Sequence, residues 1–129
     1  MRATIKSLLV TSIALASLAG LTGTASAADP HCNWVRPSTG TQLQFYSCGG
    51  NLCAKVHSVK DEKRKSEVGT VIIKGMSKAG DNKWEGDLLN LDDGKTYSGV
   101  VTLESANALN LKGCVMGILC KGETWRRVK

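Results

Sequence analysis

The sequence predicts an all-β protein, a small antiparallel up-and-down β-barrel of about eight strands. Three observations support this. Short runs alternate polar and apolar residues, Gly, Asn, Asp and Ser separate the runs, and residues 28–129 contain no stretch with sustained helical periodicity. A chain of 129 residues allows one domain. Closure into a barrel removes the exposed edges that a long meander would otherwise have, and an open β-sandwich of the same strands is the alternative.

The first four predicted strands cover residues 33–36, 41–48, 52–59 and 68–76. In the second strand Leu43 and Phe45 fall on one face, and in the third Ala54 and Val56 do the same. The fourth strand is rich in β-branched residues, which favour strands. A charged loop over residues 60–67 separates the third strand from the fourth.

The last four predicted strands cover residues 83–90, 96–104, 108–114 and 123–128. Asp93-Gly94 is a strong hairpin signal, because this pair suits the positive φ angles of a tight turn. Glycines inside predicted strands commonly mark bulges or bends at the corners of a barrel. The glycines predicted to do so are Gly75, Gly86, Gly99 and Gly113.

The first 27 residues have the layout of a secretory signal peptide. Arg2 and Lys6 precede an apolar run over residues 7–23, and Ala25-Ser26-Ala27 supplies a small-x-small cleavage site. The run has 17 residues, fewer than the roughly 20 that a membrane-spanning helix needs. We therefore expect a cleaved signal at residues 1–27, a single domain at residues 28–129, and a periplasmic or secreted protein that does not span a membrane.

The cysteine spacing predicts disulfides in an exported chain. One pair flanks a four-residue turn and the other a five-residue loop, so each could be joined across a hairpin, although the pairing itself stays open. The four residues are Cys48, Cys53, Cys114 and Cys120. A zinc site that combines these thiolates with His57 is the alternative. Cys32 is left over, either as a buried thiol in a monomer or as a link between two chains.

Several motifs, taken in order, resemble the domain-of-unknown-function family 2147 of small exported bacterial proteins. They are Trp34, Cys48-Gly49-Gly50-Asn51-Leu52-Cys53-Ala54-Lys55, Trp84-Glu85-Gly86, Asp93-Gly94-Lys95-Thr96-Tyr97, residues 111–120 and Glu123-Thr124-Trp125-Arg126-Arg127. The family is similar to lipocalin-like barrels, in which a Trp–Arg pair closes one end. The resemblance therefore implies closure by Trp34 with Arg126 or Arg127, a cation–π contact. The chain departs from the family at Cys32, where a glycine is usual.

Two functions from different classes follow. The first is a non-enzymatic carrier or sensor whose lumen binds a small hydrophobic or amphipathic molecule, with a filled core as the structural alternative. The candidate lumen residues are Phe45, Val56, Ile72, Trp84, Leu88, Tyr97, Val101 and Leu109. The second is an interaction or inhibitor module that contacts an envelope protein through stapled hairpin tips at residues 49–51 and 115–119. A structural role in stress tolerance, without a ligand, is a third hypothesis.

The remaining sequence features exclude other classes. We find no nucleophile, zinc-protease or phosphate-binding motif, so we expect neither catalysis nor a cofactor or metal. Export and the low aromatic content argue against nucleic-acid binding. The run over residues 60–65 contains four basic and two acidic residues. It is either a solvated loop or a contact for an acidic partner or anionic lipids.

Overall fold

The computed structural model describes residues 29–128, and the predicted signal peptide lies outside this range. Within the described range, eight strands form a closed antiparallel barrel in which sequence neighbours pair and β1 also pairs with β8. The strands are β1 (Cys32–Val35), β2 (Gln42–Cys48), β3 (Asn51–Ser58), β4 (Val71–Gly80), β5 (Lys83–Asn90), β6 (Lys95–Ser105), β7 (Ala108–Val115) and β8 (Leu119–Arg127). The predicted up-and-down barrel is confirmed, and the sandwich alternative is wrong.

Because consecutive strands are antiparallel, successive loops lie at opposite ends of the barrel. The turns at residues 49–50, 81–82 and 106–107 share the closed end with the described chain termini. The loops at residues 36–41, 59–70, 91–94 and 116–118 lie at the open end. The longest of these contains a 3-10 helix, Glu62–Glu67, capped by the Asp61 side chain, which accepts a hydrogen bond from the Lys63 N–H. The sequence predicted only a charged loop there.

The fourth strand runs from Val71 to Gly80, whereas the sequence predicted residues 68–76. Gly69 has a φ of +92°, so the chain is still turning there and first joins the ladder at Val71, opposite Lys55. At the other end Lys78 pairs with Trp84. The predicted turn over residues 77–82 is therefore reduced to residues 81–82, because the β4–β5 ladder continues almost to the turn.

The eighth strand begins at Leu119, four residues before the predicted start at residue 123. Met116 and Gly117 have φ angles of +54° and +69°, which form a tight turn between Val115 and Leu119. The ladder with β7 then runs without a register shift to Arg126. The prediction was wrong because the apolar residues around this turn are exposed and break the expected alternation.

The inward faces of the strands form one hydrophobic core. The alternation predicted for β2 and β3 is confirmed, since Leu43, Phe45, Ala54 and Val56 are all buried. Met76 and Trp125, which were not among the candidate lumen residues, are also buried. The full cluster is Trp34, Leu43, Phe45, Leu52, Ala54, Val56, Ile72, Ile73, Met76, Leu88, Val101, Leu103, Leu109 and Trp125.

Three of the in-strand glycines form a row across β5, β6 and β7. Gly86 pairs with Gly99, and Gly99 pairs with Gly113, with no register shift at these positions. A Cβ on Gly99 would lie 2.7 Å from the Met76 Cε and 2.7 Å from the Leu88 Cβ. The predicted bulges are therefore absent at these three glycines. Gly86 and Gly99 instead leave space for Met76, whereas a Cβ on Gly113 would make only ordinary contacts, 3.6 Å from the Tyr97 Cβ. Gly75, with a φ of +143°, does lie next to a register shift between β3 and β4.

Candidate functional site

Trp34 and Arg127 seal the closed end of the barrel. The Trp34 side chain is fully buried, and its Nε1 donates a hydrogen bond of 2.8 Å to the Pro30 carbonyl. The Arg127 guanidinium lies 4.4 Å from the centroid of the Trp34 ring, within the range of a cation–π contact. The same guanidinium donates to the carbonyls of Asp29, His31 and Ala106 at 2.6–2.9 Å. One side chain therefore ties the N-terminal segment and the β6–β7 turn to the last strand.

The structure distinguishes the two arginines that the sequence offered for this role. Trp34 pairs with Arg127 across the β1–β8 ladder, and Val35 pairs with Arg126. Successive residues of a strand point to opposite faces, so Arg127 faces the Trp34 ring, whereas Arg126 is exposed on the outer face. The register between the first and last strands decides which arginine closes the barrel.

Cys32 is unpaired and exposed, so the buried-thiol interpretation is wrong. Its φ is +96°, a left-handed conformation that glycine adopts freely and other residues adopt at a cost. This position is where the resembled family usually has glycine. The backbone geometry gives a physical reason for that glycine, and the cysteine here bears the strain.

Both predicted disulfides are present in the structure. Cys48 is bonded to Cys53 with a Cα–Cα distance of 5.9 Å, and Cys114 to Cys120 with a distance of 4.0 Å. The first bond is diagonal, because Cys53 lies opposite Tyr46, whereas Cys114 lies directly opposite Cys120. The four sulfurs form two disulfides in this structure, so no thiolate of these cysteines is free to join His57 as a zinc ligand. Among residues 29–128, no group of three His, Cys, Asp or Glu side chains could hold a metal ion.

The structure divides the candidate lumen residues among the core and the two ends. Six of them are buried together in the core: Phe45, Val56, Ile72, Leu88, Val101 and Leu109. Trp84 and Tyr97 are only half-buried and lie four ladder positions apart, because Trp84 pairs with Val101 whereas Tyr97 pairs with Leu88. Trp84 is thus near the closed end and Tyr97 near the open end. A ligand that contacted both would have to displace core side chains.

Trp84 contributes to a cleft at the closed end with a volume of about 330 Å³. The cleft also contains Asp29, His31, Asn51 and Lys78. The His31 Nδ1 lies 2.8 Å from the Asp29 carboxylate, and both side chains are largely exposed. The buried Leu52 also lines this cleft, so the cleft reaches the core at the closed end and includes one of the predicted lumen residues, Trp84.

The open end combines apolar walls with charged pairs. Val59, Leu91 and Leu111 are partly buried and pack against the core. Glu123 lies directly opposite Leu111, two residues beyond the buried Leu109–Trp125 pair, and therefore on the same inner face. Its carboxylate forms an ion pair with Arg36 and accepts a hydrogen bond of 3.2 Å from the Ser38 hydroxyl. The sequence analysis did not single out this pair, because 87 residues separate its members.

A second ion pair joins two open-end loops. Arg64 in the 3-10 helix donates to Glu67 at 2.9 Å and to Asp92 in the β5–β6 loop at 2.8 Å. The hydrogen bond to Glu67 is the main cause that raises the pKa of Arg64 above its usual value, and Asp92 acts in the same direction. The basic run is therefore partly neutralised by acidic neighbours and connected to the next hairpin.

Tyr97 forms a hydrogen bond to Asp93 at the same end. The hydroxyl donates to the Asp93 carboxylate, and the Asp93 side chain also accepts from the Lys95 N–H at 2.9 Å. The bond from Tyr97, followed by the bond from Lys95, lowers the pKa of Asp93. The same bond to Asp93 raises the pKa of Tyr97, because the hydroxyl proton is held by a carboxylate.

The two stapled hairpin tips differ in character. Gly49-Gly50-Asn51 is small and polar. Residues 115–119, which we call the apolar tip, expose 46% of Val115, 90% of Met116, 81% of Ile118 and 75% of Leu119. Solvent-exposed aliphatic side chains grouped in this way mark interaction sites more often than single exposed residues do. Of the two tips that the sequence predicted as contact points, the structure thus favours the apolar tip.

These features define the class of the protein. A closed eight-stranded up-and-down barrel, sealed at one end by a buried tryptophan and an arginine, is a lipocalin-like β-barrel. The chain belongs to the family described as "Uncharacterized protein conserved in bacteria (DUF2147)", whose model matches residues 33–127.

Comparison with solved structures agrees on the fold. A protein from the human pathogen Helicobacter pylori, described as belonging to the lipocalin family, matches with a TM-score of 0.59. The sequence identity is 23%, and the match covers 69% of this chain and 73% of that chain. No match is found among the curated proteins. No helix in residues 29–128 is long and apolar enough to cross a membrane.

Proposed function

We propose that this protein is an exported, non-enzymatic lipocalin-like barrel that binds a small amphipathic molecule at its open end. The observation that supports this most directly is the pairing of Leu111 with Glu123 on the inner face. It places the Arg36–Glu123 ion pair beside partly buried aliphatic side chains. An amphipathic ligand needs this combination, because its apolar part requires hydrophobic walls and its polar group requires hydrogen-bonding or charged partners.

The packing of the core moves the proposed site from the centre of the barrel to its mouth. Phe45, Val101 and Leu109 are at most 1% exposed, so they act as the floor of the site rather than as ligand contacts. The walls are Val59, Leu91 and Leu111, which pack against the core, and the half-buried Tyr97 lies opposite Leu88 towards the same end of the barrel. The Arg36 side chain is 27% exposed, and its positive charge would attract an anionic or polar head group.

Export is supported by the signal-like residues 1–27 and by the two disulfides. When the full chain is expressed in a Gram-negative host, the periplasmic form should have the intact mass of residues 28–129 with two disulfides. A protein that keeps residues 1–27 and remains in the cytoplasm would contradict this part of the proposal.

The binding proposal is tested with 1-anilinonaphthalene-8-sulfonate, an aromatic anion whose fluorescence rises in apolar surroundings. We expect saturable binding to the oxidised mature protein and a loss of affinity of about tenfold or more in Arg36→Gln, as for one hydrogen bond to a charged group. Arg126→Gln is the matched control, because it removes the same charge from the outer face near the closed end, and its affinity should be unchanged.

Native mass spectrometry of the protein purified from periplasm provides a second readout. A mass excess that disappears on denaturation identifies a natural ligand. A bare mass, together with dye binding that Arg36→Gln does not weaken, would contradict the proposed site. Dye bound at the apolar tip is recognised because Ile118→Asp would then remove it.

A further inference from the structure

We propose that the apolar tip, residues 115–119, inserts into the surface of an anionic lipid bilayer and holds the protein there with its open end against the membrane. The proposal does not depend on whether the barrel binds a small molecule.

The apolar tip projects beyond the strands on both sides. The ladder between β6 and β7 ends at Cys114, where it pairs with Ser98. On the other side β1 pairs with β8 at Val35–Arg126 and Trp34–Arg127, far from the tip. Because the chain turns at Met116 and Gly117, the tip extends at most about 7 Å beyond Cys114, the length of two strand residues at about 3.3 Å each. This reach matches the depth of about 5–10 Å to which interfacial segments bury their apolar groups.

A disulfide and a hydrogen-bonded turn constrain the backbone of the apolar tip. The Cys114–Cys120 disulfide lies directly beneath it, and the Ile118 N–H donates to the Val115 carbonyl at 3.1 Å across the turn. Met116 and Gly117 have the positive φ angles that this turn requires. Insertion therefore costs little conformational entropy, because the exposed aliphatic side chains sit on a rigid backbone.

The charges of the hairpin complement an anionic surface. Residues 108–122 contain Lys112 and Lys121 and no acidic residue. The next acidic residue along the chain, Glu123, is in an ion pair with Arg36. Lysines just behind an apolar segment can place their ammonium groups among lipid phosphates while the apolar residues enter the acyl region.

The chemistry of the tip favours a bilayer over a protein or a second copy of this chain. The tip is convex and contains no aromatic or arginine side chain, the types that dominate protein–protein hot spots. It has five residues, whereas a stable protein interface needs about 20–30 residues on each side. A fluid acyl phase, by contrast, requires no pocket of matching shape.

The test is co-flotation of the oxidised mature protein with vesicles of phosphatidylcholine alone, or of equal parts phosphatidylcholine and phosphatidylglycerol. Wild-type protein should float with the phosphatidylglycerol vesicles, and raised salt should weaken the association. Ile118→Asp should lower the partition coefficient about tenfold or more, because it replaces an apolar side chain that would enter the bilayer with a charged one. Lys121→Gln should lower it about fivefold, the effect of one lysine near an anionic surface.

Ala79→Asp is the matched control. Ala79 is exposed near the closed end, and the substitution adds the same negative charge as Ile118→Asp at a site far from the apolar tip. Its partition coefficient should remain close to that of the wild type. Met116→Trp adds a direct readout, since its fluorescence should shift to shorter wavelength when the vesicles are added.

Three outcomes would overturn the proposal. The first is absence of wild-type protein from both vesicle fractions. The second is equal loss of binding in Ile118→Asp and Ala79→Asp, which would mean that net charge alone drives the association. The third is equal binding to both vesicle types, which would contradict the anionic preference. Tip-dependent cross-linking to an envelope protein without vesicle binding would assign the tip to a protein partner instead.

Discussion

The two ends of the barrel are built from different interactions. At the closed end a fully buried tryptophan is held by an arginine that also binds three backbone carbonyls. At the open end the ion pairs are partly exposed, and the longest loop and the apolar tip extend into solvent. Buried packing contributes several kcal/mol, whereas exposed ion pairs contribute about 1 kcal/mol or less. The closed end therefore contributes more to the stability of the fold than the open end does. Substitutions at the open end can alter binding at a smaller cost in stability.

The largest effect is expected from Trp34→Ala. Loss of the buried ring and of the cation–π contact should lower the free energy of unfolding by about 3–5 kcal/mol, measured by urea denaturation. Trp84→Ala is the control, since Trp84 is a half-buried tryptophan near the same end, and its loss should be clearly smaller. Equal losses of unfolding free energy in Trp34→Ala and Trp84→Ala would mean that the Trp34–Arg127 seal does not stabilise the fold more than an ordinary half-buried tryptophan.

The two disulfides provide a matched pair at opposite ends. Each closes a short loop, so Cys48→Ala with Cys53→Ala, or Cys114→Ala with Cys120→Ala, should lower the free energy of unfolding by about 2 kcal/mol. Only the second double variant should also weaken vesicle flotation, because it loosens the apolar tip. If both variants float alike, the rigidity of the tip does not contribute to binding.

A smaller effect, of opposite sign, is expected at Cys32. A non-glycine residue in the left-handed region costs about 1–2 kcal/mol, partly offset by the greater freedom of glycine in the unfolded chain. Cys32→Gly should therefore be about 1 kcal/mol more stable than Cys32→Ala, which also lacks the thiol but keeps the strained φ. Thermal unfolding of the two variants compares them directly. If Cys32→Ala were more stable than Cys32→Gly, the positive φ angle at this position would not strain the fold.

The smallest effect concerns Tyr97 and Asp93. The lowered pKa of Asp93 stabilises the fold above the unfolded carboxyl pKa of about 3.9, and this contribution is lost as pH falls through the lowered value. The raised pKa of Tyr97 stabilises the fold below about pH 10, and this contribution is lost as pH rises through the raised value.

Tyr97→Phe should return the pKa of Asp93 towards its ordinary value, as followed by carboxyl carbon chemical shifts in an NMR titration. Both side chains are at the surface, so unfolding free energies should change little at neutral pH. An Asp93 titration that is the same in both proteins would show that the hydroxyl does not bind this carboxylate in solution.

Much of the barrel was predictable because alternation is a local property. The inward faces of β2 and β3, and the hairpin after Asp93-Gly94, follow from residues within a few positions of one another. The strand ends were less predictable. β4 extends to Gly80 because it pairs with β5, and β8 begins at Leu119 because it pairs with β7 across a turn of exposed apolar residues.

The candidate site was predicted less completely. The sequence indicated an apolar face, but whether Phe45 and Leu109 line a cavity or fill a core depends on how Met76 and the two buried tryptophans pack against them. The Arg36–Glu123 pair joins the first connecting loop to the last strand, and no short-range pattern links residues so far apart. Likewise, the exposure of residues 115–119 depends on where β1 and β6 end.

The sequence by itself determined the all-β class, the strand alternation, the signal-like leader and the four disulfide-forming cysteines, because each of these depends on residues that are close in the chain. The tertiary structure decided which arginine seals Trp34, why three glycines align across β5, β6 and β7, and how far the aliphatic side chains of the apolar tip are exposed. The physical reason is that barrel closure brings the first and last strands together and sets one register for the whole sheet. That register decides which side chains meet inside and which remain outside.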